Sequence, residues 1–432
     1  MAASDSTSVD AAPNLVAAVS ESRQWDRIAQ MARLGGFTDA DGHHGVNRAA
    51  LTKLDRDSRR LLLSWALPLG LKPSVDVLGN LFLRHEGTEP GAAAVMAGSH
   101  MDSQPNGGRF DGIWGVLAAL EAVQAIREAG VATKRPIEIV AWTNEEGGRF
   151  APGCMGSMAW SGHRPPDTWN DTTDGDGIRF GDELAALLAA EADIPRRPLG
   201  IVEGPRPFAY VEPHIEQGPL LESEGLDIGV VTGIQGSRWF LVEIEGKTDH
   251  AGTAPLSLRR DAVQDMVRVI NALNALMADP TDVLRFTVGR IEVGPNSSNT
   301  VADRARFTID FRHPDPAVLL PKGDAIEATV QAALTTCRAT VTERFHALPA
   351  RFDAMVQDTI EAAARSQGLT TRRMPSGAFH DAQFLVPVCP TGMIFIPSRG
   401  GVSHHPAEYS TPSQVANGAR VLAQVLATLA NR

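Results

Sequence analysis

Imidazole and carboxylate side chains recur at four places in this chain, in combinations that suit metal ions. In the first, residues 99–112, His100 is followed by Asp102 and, after two glycines, by Asp111. The other three motifs are Asn144-Glu145-Glu146, His214-Ile215-Glu216 and Ser403-His404-His405. Mixed nitrogen and oxygen ligands suit zinc, manganese, cobalt or nickel better than calcium or magnesium. The pattern therefore predicts a hydrolase that uses two metal ions.

The residue types also suggest separate roles. Asp102 could accept a hydrogen bond from the His100 ring nitrogen that faces away from the metal and so fix the tautomer. Asp111 follows two glycines that permit close approach, and we expect its carboxylate to bridge two metals. Of Glu145 and Glu146, one would bind metal and the other would accept a proton from the attacking water. Taken singly, each group also has an ordinary explanation, such as a helix cap for Asp111 or a solvated acidic pair.

Short apolar runs of strand length precede all four motifs. They are bounded by glycine, proline or asparagine and cover residues 93–97, 137–142, 208–211 and 392–396. The candidate ligands would then follow the C-terminal ends of strands, where open α/β sheets bind their ligands. Apolar residues at helical spacing over 113–126 predict a helix that starts just after Asp111 and stops near Gly130.

A different pattern occupies residues 226–344. We predict a strand at residues 239–245, a helix at 263–277, two strands at 284–293 and 306–312, and a final helix at 323–338. This β-α-β-β-α order predicts a smaller α+β domain of the ferredoxin-like type. It would interrupt a larger α/β domain with a mixed sheet, formed by residues 13–225 and 345–432, behind a disordered tail at residues 1–12.

Composition excludes several other classes of protein. The 432 residues are 43% apolar and 21% charged, and the net charge of −11 is not concentrated in blocks. This balance argues against nucleic acid or a membrane surface as a partner. Three widely spaced cysteines predict no disulfide framework, and the N-terminus lacks the pattern of a signal peptide. We therefore expect a cytoplasmic protein.

Several longer motifs, in order along most of the chain, resemble the N-carbamoyl-L-amino acid hydrolase family. That family includes β-ureidopropionase and allantoate amidohydrolase, and it lies within the aminoacylase-like dinuclear metallopeptidases. The matching segments are residues 98–103, 108–112, 144–150, 214–219, 250–255, 310–312, 389–395 and 403–409. The string His-Ile-Glu-Gln-Gly-Pro at 214–219 resembles the carbamoylase branch rather than the peptidases.

The resemblance implies hydrolysis of a linear C–N bond in an N-carbamoyl amino acid, which releases ammonia, carbon dioxide and the amino acid. It implies two divalent metal ions per subunit, zinc or else manganese, cobalt or nickel, with Asp111 as the bridge. The other implied ligands are His100, Glu146, His214 and His404. Glu145 would be the general base, and His405 is the rival of His404 for the last ligand position.

For the inserted domain, the resemblance implies a lid that also forms the interface of a homodimer. His250 would stabilise the oxyanion, and Arg312 would hold the carboxylate of a ureido acid substrate. Gln217 and Asn299 would be further substrate contacts. Phe379 stands where the family often has glycine, so the exact substrate stays open. The alternatives are allantoate amidohydrolase, an aminoacylase or dipeptidase, and a catalytically silent binding protein.

Overall fold

The structure, a computed structural model, describes residues 12–432. The predicted tail lies outside this range except for its last residue, which begins the first helix. The helices are α1 (Ala12–Ala18), α2 (Glu21–Met31), α3 (Lys53–Ala66), α4 (Ile113–Glu128), α5 (Met155–Trp160), α6 (Phe180–Ala190), α7 (Gly200–Glu203), α8 (Leu220–Ser223), α9 (Ala262–Leu276), α10 (Pro316–Asp324), α11 (Ile326–Ala333), α12 (Ala354–Ser366), α13 (Ala382–Leu385) and α14 (Pro412–Ala430). Across residues 12–432, none of them combines the length and apolar character that a bilayer crossing requires.

The strands form one large mixed sheet, one smaller sheet and two short antiparallel pairs. Their bounds are β1 (Gly36–Thr38), β2 (His44–Val46), β3 (Lys72–Val75), β4 (Leu81–His85), β5 (Val95–His100), β6 (Ile137–Trp142), β7 (Ala209–Ile215), β8 (Ile228–Ile234), β9 (Gly236–Glu245), β10 (Asp249–His250), β11 (Arg285–Gly294), β12 (Thr300–Val301), β13 (Arg304–His313), β14 (Arg338–Ala347), β15 (Ala350–Arg351), β16 (Thr371–Ser376) and β17 (Thr391–Ile396). The large sheet has the order β15-β8-β17-β7-β5-β6-β4-β3, and β16 also pairs with β8. The predicted α/β class with a large mixed sheet is confirmed.

The four strands predicted before the ligand motifs are neighbours at the centre of this sheet. They are β17, β7, β5 and β6, and each is parallel to the next. The outer strands β8 and β4 run antiparallel to them. All four central strands are buried along their whole length, which explains why they read as continuous apolar runs rather than as alternating ones.

Helix α4 is more deeply buried than its sequence pattern predicted. The spacing of apolar residues indicated one buried face, but nearly every side chain of α4 is buried. The helix packs against β5 and β7 of the sheet and against α14. Its one fully buried acid, Glu121, accepts hydrogen bonds from Arg23 and Arg27, so the charge is paired inside the core.

The chain folds as two compact units, residues 12–232 with 351–432, and residues 233–350. These boundaries lie later than the predicted 226 and 344. The first shifts because β8 pairs with β17 in the large sheet. The second shifts because β14 pairs with β9 in the small one.

The second unit contains an antiparallel sheet of order β11-β13-β9-β14. Apolar side chains of α9, α10 and α11 pack with those of the sheet in one core. The predicted helix over 323–338 is only partly correct, because α11 stops at Ala333 and β14 begins at Arg338. The β-branched residues Thr340, Val341 and Thr342 favour this strand, whose partner is β9.

The carboxylate of Asp265 on α9 holds the segment between α11 and β14 through hydrogen bonds. It accepts hydrogen bonds from the Thr335 hydroxyl at 2.7 Å and from the backbone N–H groups of Thr336 at 3.1 Å and Cys337 at 2.9 Å. Burial alone would raise the pKa of Asp265, but these hydrogen bonds hold it below its usual range. A depressed acid pKa stabilises the fold above the unfolded-state value and loses that effect as pH falls through the folded-state value.

An Asp265→Asn variant is therefore expected to lower the free energy of unfolding at neutral pH by about 3 kcal/mol, since charge-assisted bonds to a buried acceptor are lost. The difference from the parent should shrink as pH falls below about 4, the pKa of an unperturbed Asp. Denaturant unfolding across this pH range measures both effects. Asp282→Asn, at a side chain that is 95% exposed in the same unit, is the matched control and should change little.

Candidate metal centre

The parallel strands deliver the predicted ligands to one edge of the large sheet. His100 is the last residue of β5, and His214 lies near the end of β7. Glu145 and Glu146 follow β6, and His404 lies in the loop after β17. Because these strands are adjacent and parallel, their C-terminal ends meet at the same edge.

His100, Asp111 and His214 form a first buried group of possible ligands. Oδ1 of Asp111 lies 3.1 Å from Nε2 of His214 and 3.8 Å from Nε2 of His100. Nδ1 of His214 lies 2.9 Å from the backbone oxygen of Ile215, and Nδ1 of His100 lies 3.0 Å from the backbone oxygen of Asp102. A carbonyl only accepts, so each Nδ1 carries a proton, and in the neutral ring Nε2 then has the lone pair that can bind a cation. Nε2 of His214 is buried and faces Oδ1 of Asp111, so these two atoms offer a nitrogen and an oxygen ligand to one cation.

Asp102 differs in detail from the prediction. Its backbone oxygen, not its carboxylate, accepts the hydrogen bond from Nδ1 of His100. The carboxylate lies 3.6 Å from that atom and accepts the backbone N–H groups of Glu145 at 3.3 Å and Glu146 at 3.2 Å. Asp102 thus orients His100 through its main chain and the acidic pair through its side chain.

Asp111, Glu146 and His404 form a second group. Nε2 of His404 lies 3.3 Å from Oδ2 of Asp111 and 3.5 Å from Oε2 of Glu146. Gln104 holds Glu146 by donating its N–H to Oε1 at 3.0 Å and its Nε2 to Oε2 at 2.9 Å. Asp111 therefore turns one oxygen to each group, which is the arrangement of a bridging carboxylate.

Glu145 lies beside the first group, with Oε2 at 3.5 Å from Nε2 of His100. The thiol of Cys154 donates to its other oxygen at 3.6 Å. Burial raises the pKa of Glu145 well above its usual range, and the nearby carboxylates of Asp381 and Glu146 raise it further. Crowded, buried acids beside imidazole rings fit divalent cations, because a cation removes the repulsion between the carboxylates and binds the ring nitrogens.

Glu408 is a buried residue of this site that sequence reasoning missed. Its Oε1 accepts the backbone N–H groups of Phe110 at 2.9 Å and Asp111 at 3.0 Å, and its Oε2 accepts the Ser403 hydroxyl at 3.0 Å. A Cβ atom at Gly108 would overlap the carboxyl group of Glu408. The close approach predicted for the glycine pair is therefore an approach to Glu408, which fixes the loop that carries Asp111.

Gly112, which follows Asp111, also permits a close approach, in this case to the ring of His100. It has φ of +64°, and a Cβ atom there would overlap the imidazole ring of His100. Gly112→Ala is expected to displace this ring and to weaken metal binding by about tenfold or more, as loss of a ligand's support does. Competition with a chromogenic chelator measures the affinity. Gly130→Ala is the matched control, because Gly130 has φ of +67° but open space around it. Equal losses in both variants would assign the effect to backbone strain instead.

Two further predicted residues, Gln217 and His405, lie in the first unit. Gln217 donates from Nε2 to Oδ2 of Asp111 at 2.9 Å and to Oγ of Ser403 at 3.2 Å, so it contacts the second group. His405 belongs to neither group; its Nδ1 accepts the backbone N–H of Ala407 at 3.1 Å.

Three predicted residues lie in the second unit. His250 on β10 pairs with Thr300 on β12, and the N–H of Ala251 donates to the carbonyl of Asn299 at 3.0 Å. The predicted residues His250 and Asn299 therefore lie close to each other. Arg312 on β13 forms an ion pair with Asp310 at 2.7 Å.

Comparison with known proteins assigns this arrangement to a family. The sequence model that describes peptidase family M20/M25/M40 matches residues 96–428 of this chain. An N-carbamoyl-L-amino acid amidohydrolase of Geobacillus stearothermophilus is 40% identical over 93% of this chain and 96% of its own. An allantoate amidohydrolase of Escherichia coli K12 is 37% identical over 84% of this chain and 87% of its own.

A solved structure agrees with these relatives. The hydantoinase/carbamoylase family amidase of Burkholderia multivorans superposes with a TM-score of 0.89 at 40% identity, over 96% of this chain and 98% of its own. The predicted resemblance is confirmed. The chain belongs to the peptidase M20/M25/M40 family and, within it, to the hydantoinase/carbamoylase group of amidohydrolases.

Proposed function

We propose that this protein hydrolyses the C–N bond of an N-carbamoyl amino acid and releases ammonia, carbon dioxide and the amino acid. The observation that carries the proposal is the pair of ligand groups that share Asp111, with the carboxylate of Glu145 next to them. Relatives of the same group that bear the name N-carbamoyl-L-amino acid amidohydrolase support the choice of substrate class.

We assign two divalent cations to the two groups, zinc or else manganese, cobalt or nickel. His100 and His214 would hold one cation, Glu146 and His404 the other, and Asp111 both. When bound, such a pair polarises the substrate carbonyl and lowers the pKa of water. The donor set does not discriminate among these metals, because geometry and supply decide between them.

Glu145 would move the proton in this reaction. Its carboxylate would accept a proton from the water that adds to the ureido carbon and would return it to the terminal nitrogen, which leaves as ammonia when its C–N bond breaks. The carbamic acid that remains on the amino acid nitrogen then loses carbon dioxide and frees the amino acid. The buried position of Glu145, with Oε2 3.5 Å from Nε2 of His100, suits a group that takes a proton and gives it back beside the ligand groups. His250 would donate to the oxyanion, and Gln217 and Asn299 would contact the substrate.

We further propose that the second unit acts as a lid and as the interface of a homodimer, in a cytoplasmic protein. The three cysteines are all free, which agrees with a reducing compartment.

Arg312 would bind the carboxylate of the substrate through its planar guanidinium. Arg312→Ala is expected to raise KM for ureido acids by about tenfold or more, the cost of one charge-assisted contact, while kcat changes less. An uncharged amide analogue should be affected far less. Arg306→Ala is the matched control, because Arg306 lies on the same strand and face and pairs with Glu243 and Glu292. Equal effects on acid and amide would remove Arg312 from this role.

Ammonia release from a panel of substrates tests the proposed function. The panel contains N-carbamoyl α-amino acids, N-carbamoyl-β-alanine, allantoate, an N-acetyl amino acid and a dipeptide. We expect the greatest kcat/KM for an N-carbamoyl amino acid. A preference for allantoate would favour the alternative that the Escherichia coli relative raises, and release of amino acid only from the N-acetyl compound or dipeptide would indicate an aminoacylase or dipeptidase. Absence of turnover, together with absence of bound transition metal, would favour a silent binding protein.

A further inference from the structure

An open pocket of about 400 Å³ lies beside the β1–β2 hairpin of the first unit, and it has no part in the proposed reaction. Basic side chains line it, namely those of Arg33, His44 and Arg109. No acidic residue of the described chain is among the lining residues, although the protein as a whole has a net charge of −11. The pocket therefore presents two arginines on an acidic molecule, with no carboxylate among its lining residues.

Arg109 is the more fixed of the two arginines. Its guanidinium carbon lies 5.8 Å from the ring centre of Trp25, 5.3 Å from that of Phe110 and 5.7 Å from that of Tyr409. Within residues 12–432, no carboxylate forms an ion pair with Arg109 or Arg33, whereas the buried Arg59 is bound at 2.7 Å by Glu191. Arg109 is thus held in place by aromatic faces and keeps its hydrogen-bond donors for another partner.

The rest of the lining is apolar or small. Ala29 of α2, Ala32 just after that helix and the ring of Phe37 contribute apolar surface, and Thr38 adds one hydroxyl group. Nδ1 of His44 lies 3.1 Å from the Thr38 hydroxyl, which orients the exposed imidazole. The pocket therefore offers apolar contact together with donors for an oxyanion, at a volume within the range of small-molecule sites.

We propose that this pocket binds a small organic carboxylate. The carboxylate group would contact Arg109 and Arg33, and the apolar part of the ligand would rest on Ala29, Ala32 and Phe37. An arginine already immobilised by aromatic rings loses little conformational freedom on binding, which favours affinity.

The pocket is connected to the loop that carries Asp111. The N–H of Val46, at the end of the hairpin, donates to the carbonyl of Gly107 at 3.0 Å. Arg109 itself belongs to that loop. A bound carboxylate would therefore hold both the hairpin and residues 104–112 more rigidly, which hydrogen exchange detects as slower exchange of backbone amides.

The test uses the full-length, metal-loaded protein with hexanoate as the probe and neutral hexanamide as its matched analogue. Hydrogen exchange monitored by mass spectrometry should show protection over residues 29–46 and 104–112 with hexanoate and none with hexanamide. Arg33→Gln and Arg109→Gln should each weaken the affinity measured by calorimetry by about tenfold, the effect of losing one charged contact. Arg33 is exposed, so its variant keeps the test valid if Arg109→Gln fails to fold. Arg60→Gln is the control, because Arg60 is exposed and paired with Asp193, and it should bind as the parent does.

Three results would overturn the inference. The first is hexanoate affinity that survives in Arg33→Gln and Arg109→Gln but disappears in Arg312→Ala, because this places the ligand at the proposed substrate site. The second is protection by inorganic phosphate but not by hexanoate, which excludes the carboxylate class. The third is equal binding of hexanamide. None of these outcomes depends on which ureido acid the enzyme hydrolyses, so a failure here and a failure of the proposed function are distinguishable.

Discussion

Glu145→Gln is expected to lower kcat by about 10³-fold or more while the protein keeps its metal, because an amide cannot accept the proton of the attacking water. The substitution preserves the shape of the side chain and its acceptor oxygen for the Cys154 thiol. The fold and the ligand groups should therefore remain intact. Steady-state kinetics with the best ureido acid and elemental analysis of the same sample measure the two properties together.

The adjacent residue supplies the comparison that makes this result informative. Glu146→Gln removes a proposed ligand and is expected to lose both metal and activity, whereas Glu145→Gln should lose activity alone. Retained turnover in Glu145→Gln would exclude Glu145 as the base. Loss of metal from that variant would instead make Glu145 a ligand, which its distance of 3.5 Å from His100 Nε2 makes a meaningful alternative.

The sequence was most informative where neighbouring residues decide the structure. The runs at 137–142 and 392–396 were assigned as strands, and the structure has β6 at Ile137–Trp142 and β17 at Thr391–Ile396. An apolar run between turn-forming residues leaves few alternatives to a buried strand. The motifs after these strands could then be placed at one sheet edge without knowledge of any contact.

Contacts between distant parts of the chain were not predictable in this way. Glu408 binds the backbone of Phe110 and Asp111, almost 300 residues earlier, and no local pattern distinguishes such an acid from a surface one. The main-chain bond from Asp102 to His100 was missed for a related reason, since a backbone carbonyl is present at every residue. Strand β14 was not predicted at all, because its exposed, alternating residues give a weaker signal than a buried run.

Asp111 is expected to be the residue on which the whole metal complement depends. Its Oδ1 faces His100 and His214, and its Oδ2 faces His404, so it is the one side chain among the described residues that both ligand groups contain. If each group holds one ion, the parent should bind two ions per chain. Asp111→Ala should weaken binding of both by more than about 100-fold, beyond the loss from an outer support.

Variants of the unshared ligands should behave differently, and this difference is the decisive comparison. His404→Ala removes a ligand of the second group only and should leave close to one ion per chain, and His214→Ala should do the same through the first group. Elemental analysis after gel filtration counts the ions, and circular dichroism checks that each variant is folded. An Asp111→Ala protein that keeps one tightly bound ion, or a parent that binds only one, would contradict the shared bridge. Because Asp111 is held by Glu408 through its backbone N–H, the loop should keep its course without the side chain, so lost metal would report on the carboxylate itself.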